Sequence, residues 1–197
     1  MFYYTGVQLP DKIEMSLPKL ENGKLAFNTN YSPYSTVTPN CDIILNDTAT
    51  PFNGYQMFTD KAIKSISSNT SFKITQGYKM FYNLKLENIP IIDVTHCNNM
   101  YYMFSGCTNL KNITFIDNGN ILKSGTDLFE SCTNLETIDG LNLDNFKDYS
   151  SMFYGCKALK YLPEINNKYT INGNTFSNSG LIKIEAFNAV LADNQYI

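Results

Sequence analysis

Met103-Phe104-Ser105-Gly106-Cys107-Thr108-Asn109-Leu110-Lys111-Asn112-Ile113 decides the fold, because it returns twice. It comes back as Leu128-Phe129-Glu130-Ser131-Cys132-Thr133-Asn134-Leu135-Glu136-Thr137-Ile138, then as Met152-Phe153-Tyr154-Gly155-Cys156-Lys157-Ala158-Leu159-Lys160-Tyr161-Leu162. In each copy an aromatic residue stands three places before a Cys. A Leu stands three places after that Cys, and an aliphatic residue three places further on.

Working outward, the same Phe recurs at Phe58, Phe81, Phe104, Phe129, Phe153 and Phe176, in steps of 23, 23, 25, 24 and 23 residues by subtraction. A fixed period in the twenties is the signature of a solenoid with one supersecondary unit per repeat. The residue before the Phe is Met57, Met80, Met103, Leu128 or Met152, with Thr175 departing in the last unit. Seven residues before the Phe stand Ile74, Cys97, Leu122, Phe146 and Tyr169, an apolar column. The aliphatic pairs are Ile63/Ile66, Leu86/Ile89, Leu110/Ile113, Leu135/Ile138, Leu159/Leu162 and Leu181/Ile184. The first two units and the last are one residue shorter between Phe and pair, and lack the Cys. Atypical end units suit a finite stack.

One unit cannot bury both its strand aliphatics and its Met-Phe side. Coils stacked at about 4.8 Å, with strands paired in parallel, bury both continuously. The expected fold is therefore a β-rich (α/β) solenoid of about six 23–25-residue repeats. The Met-Phe stretch is expected on the return path, in a short helical or 3-10 turn. Residues 51–197 form the solenoid in this reading, and 1–50 a small β-rich cap or docking segment. In that segment Phe2 to Leu9 reads as a strand stopped by Pro10, Asn22-Gly23 as a hairpin turn, and Cys41 to Leu45 as a strand. Asn28 to Asn40 reads as loop.

The unit Met-Phe-x-Gly-Cys-x-x-Leu-x-x-Ile resembles the leucine-rich repeats of BspA-like bacterial surface antigens. The segment from Asn99 to Leu110 and the preceding Ile91-Ile92-Asp93-Val94-Thr95 carry the resemblance most strongly. It implies a right-handed solenoid with a parallel sheet on one face. It also implies contact with other macromolecules, as in adhesins, host-interaction proteins and modules of bacteriophage proteins. It supplies no catalytic residues.

Composition narrows the classes further. Hydrophobic residues make up 43% and charged ones 17%, enough for a core and too few charges for a disordered chain. All 15 basic residues are Lys and the net charge is −3, which argues against a nucleic-acid partner. The frequent Asn and missing Arg fit the codon bias of an AT-rich genome. Met1 to Pro10 lacks the basic and apolar regions of a secretory signal, and no run approaches the roughly 18 apolar residues of a membrane span. The expectation is thus no membrane insertion, and a place in a larger assembly. A bacteriophage virion (tail, baseplate or capsid surface), put together in the host cytoplasm, is the leading reading. A bacterial cell-surface adhesion protein is the alternative. Partners would be other virion or surface proteins, or a host-cell surface protein or glycan.

Candidate chemistry is sparse. Cys107, Cys132 and Cys156 form a column, but each stands alone in its repeat with no CxxC, so packing as small hydrophobes is the better reading than a metal site. His96 has no nucleophile elbow near it and reads as a surface or turn residue. No catalytic residue, cofactor or metal ligand is assigned. Two surfaces remain for binding. Outward strand positions include Ser65/Ser67, Asn88/Pro90, Asn112/Thr114, Thr137/Asp139, Tyr161/Pro163 and Lys183/Glu185. Tyr55, Tyr78 and Tyr101 share a column three before the Phe, with Tyr102 and Tyr154 beside it. The candidate interaction residues are Tyr101, Tyr102, Asn112, Thr114, Thr137, Asp139, Tyr154 and Tyr161. Two readings stand for the tyrosines: the wet edge of the core, or an aromatic stripe that grips glycan or protein.

Overall fold

The structure, a computed structural model, describes residues 12–16, 42–46, 51–60, 62–162, 164–166, 170–171, 174–184 and 190–191. The strand expected over Phe2 to Leu9, the Asn22-Gly23 hairpin and the loop from Asn28 to Asn40 lie outside these residues. The strands are β1 (Lys12–Ser16), β2 (Asp42–Asn46), β3 (Phe52–Asn53), β4 (Ser65–Ser68), β5 (Phe72–Gln76), β6 (Ile92–Asp93) and β7 (Asn112–Ile116). They continue with β8 (Lys123–Ser124), β9 (Thr137–Asp139), β10 (Phe146–Asp148), β11 (Tyr161–Leu162), β12 (Thr170–Ile171), β13 (Lys183–Ile184) and β14 (Val190–Leu191).

Every described strand pair is parallel, as stacking of like coils requires. β1, β2 and β4 form one sheet, with Ile43 opposite Ile66; β3-β5-β6-β7-β9 form another. β7 serves two ladders. Its Asn112, Ile113 and Thr114 pair with Thr137, Ile138 and Asp139, while Phe115 and Ile116 pair with Ile92 and Asp93. The strand expected around Asn88 and Pro90 is absent: residues 84–91 carry no strand. Pro90 has no N–H to give a ladder, which interrupts pairing there.

The return path is a second hydrogen-bonded ladder rather than a helix. Within a coil, Met80 donates to Gly77, Leu84 to Phe81 and Cys107 to Phe104, each three residues back, the 3-10 spacing. Between coils, Lys79, Phe81 and Asn83 donate to the carbonyls of Tyr101, Met103 and Ser105. Residues two before and two after the Phe, such as Lys79, Asn83, Tyr102, Gly106, Asp127 and Gly155, have left-handed φ between 49° and 76°. Those residues turn alternate N–H groups toward the next coil and prevent a regular helix. Asx turns open the path, with the side chains of Asn53, Asn99 and Asp148 accepting from the backbone N–H of Tyr55, Tyr101 and Ser150.

Inside, the six Phe residues form one buried row. Successive rings are stacked with centroids 5.5, 5.3, 5.5, 5.9 and 5.9 Å apart. The Met column beside them is fitted by size. Gly54, Gly77 and Gly125 stand four residues before the Phe, and a Cβ there would collide with Met80, Met103 and Met152 of the following coil. Where that place holds the bulky Met100 or Tyr149, the following coil has Leu128 or Thr175 instead of Met. Thr175 is buried and its hydroxyl donates to the Tyr149 carbonyl at 2.9 Å, so its departure from the repeat answers a larger neighbour.

Leu122 does not join the buried column. It is exposed, and Lys123 takes the place, in register with Phe146. The 25-residue step between Phe104 and Phe129 is the longest, and its extra length shifts the inward side chain by one. The Lys123 ammonium sits 2.8 Å from Asp117 Oδ1, with both side chains sealed from solvent, and also donates to the Ile121 carbonyl at 3.2 Å. Asp117 Oδ2 accepts from the Asn142 N–H.

Candidate functional site

The cysteine column is buried and occupied with backbone. The thiols of Cys107, Cys132 and Cys156 donate to the carbonyls of Phe81, Phe104 and Phe129 in the preceding coil, at 3.0, 3.0 and 3.1 Å. Burial pushes the thiols of Cys97, Cys107 and Cys156 up to about 12 and that of Cys132 well above its ordinary value. Such thiols are poor nucleophiles at neutral pH. His96 stands exposed in a turn. Among the described residues no group of three His, Cys, Asp or Glu could hold a metal ion.

The eight candidate residues divide between two faces. Asn112, Thr114, Thr137, Asp139 and Tyr161 are exposed on the leading strands β7, β9 and β11. Thr137 donates to the Asn112 side chain at 2.7 Å, and Thr114 lies opposite Asp139. Tyr161 is 59% exposed, and next to it in the following coil Ile182 is 70% exposed, its N–H donating to the Lys160 carbonyl. Ser65 and Lys64 are held to Asp42 of β2, and these bonds, Ser65 first, lower the Asp42 carboxyl. The side chains of Pro163, Lys183 and Glu185 lie outside the described ones.

Tyr101, Tyr102 and Tyr154 lie half-buried on the return path instead. Tyr55 and Tyr78 stack at 4.8 Å. Tyr102 meets Tyr78 and Tyr82 edge-on at 6.5 and 6.4 Å. The Lys79 ammonium sits over the rings of Tyr82, Tyr102 and Tyr78, at 4.9, 5.0 and 5.6 Å. The Tyr102 hydroxyl bonds Asp127, which raises the tyrosine's pKa. Asp148 accepts from Thr126 at 2.5 Å and from Tyr101 at 3.4 Å. Ser105 donates to Glu130 at 3.0 Å, and the Asn178 side chain donates to the Tyr154 hydroxyl at 3.2 Å.

The rings of Tyr55, Tyr78, Tyr82 and Tyr102 therefore pack on one another, while Tyr101 and Tyr154 meet polar side chains through their hydroxyls. Sequence reasoning picked out the tyrosines but missed Lys79, Tyr82, Asp127, Glu130 and Asp148, which complete this face. The available signal was position: Lys79, Tyr102 and Asp127 all stand two residues before the ladder Phe.

Against known proteins, neither the curated proteins nor the solved structures give a match. The family model described as the BspA type leucine rich repeat region matches in 6 copies, over residues 41–150 and 77–194. That match begins at β2, spans most of the chain, and agrees with the parallel stack and its repeated Phe row. Solenoids of this kind serve typically as interaction scaffolds rather than enzymes. The chain belongs to the BspA-type leucine-rich repeat family.

Proposed function

We propose that this protein is a non-enzymatic docking module of a bacteriophage virion, set on the tail, baseplate or capsid surface and attached through residues 1–50. The observation that carries the docking role is the build of the solenoid. Its repeated Phe, Met and Cys side chains face inward as packing, while the strand face from Asn112 to Asp139 repeats small polar groups outward from coil to coil. A broad regular surface of this sort suits a macromolecular partner better than a small substrate. No helix among the described residues is long and apolar enough to cross a membrane. The virion setting is supported by the Asn-rich, Arg-free composition, which fits the codon bias of an AT-rich genome.

Electron microscopy of purified particles, with mass spectrometry for this chain, tests the setting. Its presence at fixed stoichiometry is expected, and its absence from particles rejects the virion. The second reading is a bacterial surface adhesion protein, in keeping with the resemblance of the repeat unit to those of bacterial surface antigens. A surface-exposed pool in cells free of prophage would establish that reading in its place.

A further inference from the structure

Two Asn-Gly steps fall among the described residues, Asn53-Gly54 and Asn118-Gly119, and the fold treats them differently. Asn22-Gly23 and Asn172-Gly173 lie outside those residues. In an Asn-Gly step the Asn side chain faces a backbone nitrogen that no Cβ shields, so the chain is free to close on its own amide. Such asparagines are among the thermolabile residues of proteins. At Asn53 both reacting groups are occupied. Its side-chain oxygen accepts from the Tyr55 N–H at 3.0 Å, and the Gly54 N–H donates to the Gln76 carbonyl at 2.9 Å. Asn53 ends β3, and Gly54 is buried.

Asn118 differs on each count. It lies just past β7 in the long coil, and it is exposed. Among the described residues neither its side chain nor the Gly119 N–H makes a hydrogen bond. Packing demands the glycine that follows it, because a Cβ at Gly119 would stand 2.5 Å from the Thr95 carbonyl oxygen. The flanks, by contrast, are anchored. Asp117 is held by the Lys123 ammonium and the Asn142 N–H, and the Gly119 carbonyl accepts from the Asn145 side chain at 2.8 Å. The fold thus keeps Gly beside Asn118, fixes the residues on both sides, and leaves the two reacting groups open to water.

We propose that Asn118 is a site of spontaneous modification, converting to aspartate and isoaspartate in the folded chain. The Gly119 nitrogen loses its proton to solvent and bonds to the side-chain carbonyl carbon of Asn118. The bond from that carbon to the amide nitrogen breaks, and the nitrogen leaves as ammonia with a proton from solvent. Water then opens the resulting cyclic imide at either carbonyl; nothing is oxidised or reduced. The product carries a new carboxylate one residue from the buried Asp117–Lys123 pair. As isoaspartate it also adds a methylene to the main chain between two anchored residues. Both changes loosen the long coil. The inference goes beyond the docking role and holds in either setting of the protein.

Incubation of the folded full chain in isotope-labelled water at mildly alkaline pH, followed by peptide mass spectrometry, tests the assignment. The peptide containing Asn118 should take up labelled oxygen about tenfold faster than the one containing Asn53, where two hydrogen bonds must break first. In denaturant the two rates should converge, because the contrast belongs to the fold. Equal rates in the folded chain, or a faster Asn53, overturn the proposal. A contrast that persists undiminished in denaturant also overturns it, since local sequence would then be the cause. Asn118→Ser keeps Gly119 and removes the reacting amide. During the same incubation the Tm of the wild type should fall further than that of this variant; an equal fall in both overturns the loosening of the long coil.

Discussion

Phe104 shows what a single position in the repeat contributes. Its ring lies between those of Phe81 and Phe129 and meets Phe115 edge-on at 5.9 Å. Phe104→Ala removes contacts on three sides from a site with no route for collapse, because the coil spacing is fixed by two backbone ladders. Chemical denaturation should show a loss of about 3–5 kcal/mol, much of the whole stability of a small domain. Asp127 and Asp148 illustrate opposite electrostatics on adjacent coils. Burial raises the Asp127 carboxyl above its ordinary 3.8. Burial also acts on Asp148, but bonds from Thr126, Ser150 and Tyr101 outweigh it and leave that carboxyl below 3.8. Asp148 thus adds stability above its unfolded pKa and loses it as pH falls through its lower folded value. Asp127 does the opposite: ionisation costs the fold something, and the cost disappears as pH falls below its raised value. A carboxyl NMR titration should find Asp127 protonating at higher pH than Asp148, and the reverse order would contradict the hydrogen bonding described.

Among the elements, the long coil between Phe104 and Phe129 depends on a buried ion pair found nowhere else among the described residues. Lys123 replaces an apolar side chain in the column and is neutralised by Asp117. Lys123→Met leaves a buried carboxylate with no counter-charge and should cost about 3–5 kcal/mol. Adding Asp117→Asn, which keeps an acceptor for the Asn142 N–H, should recover much of it, as a double-mutant cycle would read. This coil also marks a limit of the sequence. The Phe row was legible because one residue type recurs at nearly constant spacing. Leu122 was misplaced because column reading assumes that an apolar residue points inward, and a one-residue shift puts Lys123 there instead. Thr175 looked like an exception until Tyr149 was seen to fill its space. The carboxylates of the return-path face were not legible, because Asp127 and Glu130 stand three residues apart in one coil while Asp148 joins them only once the next coil is stacked.

At the scale of the molecule, each coil is stable only with its neighbours. Ile43 and Leu45 of β2 are buried, and β2 pairs with β4 along Ser65–Ser68. A fragment of residues 51–197 strips that layer and bares the first coil. It should be less soluble and melt lower than the full chain; equal solubility and melting temperature would mean that the first fifty residues do not cap the stack. The central claim is that coils superimpose so that like side chains meet. Ring-to-ring proton NOEs in protein labelled only at Phe test it most directly. A single unbroken series is predicted, from Phe58 through Phe81, Phe104, Phe129 and Phe153 to Phe176, with no cross-peak that skips a member. Missing contacts between successive members, or rapid solvent access to Phe104 or Phe129, would contradict it.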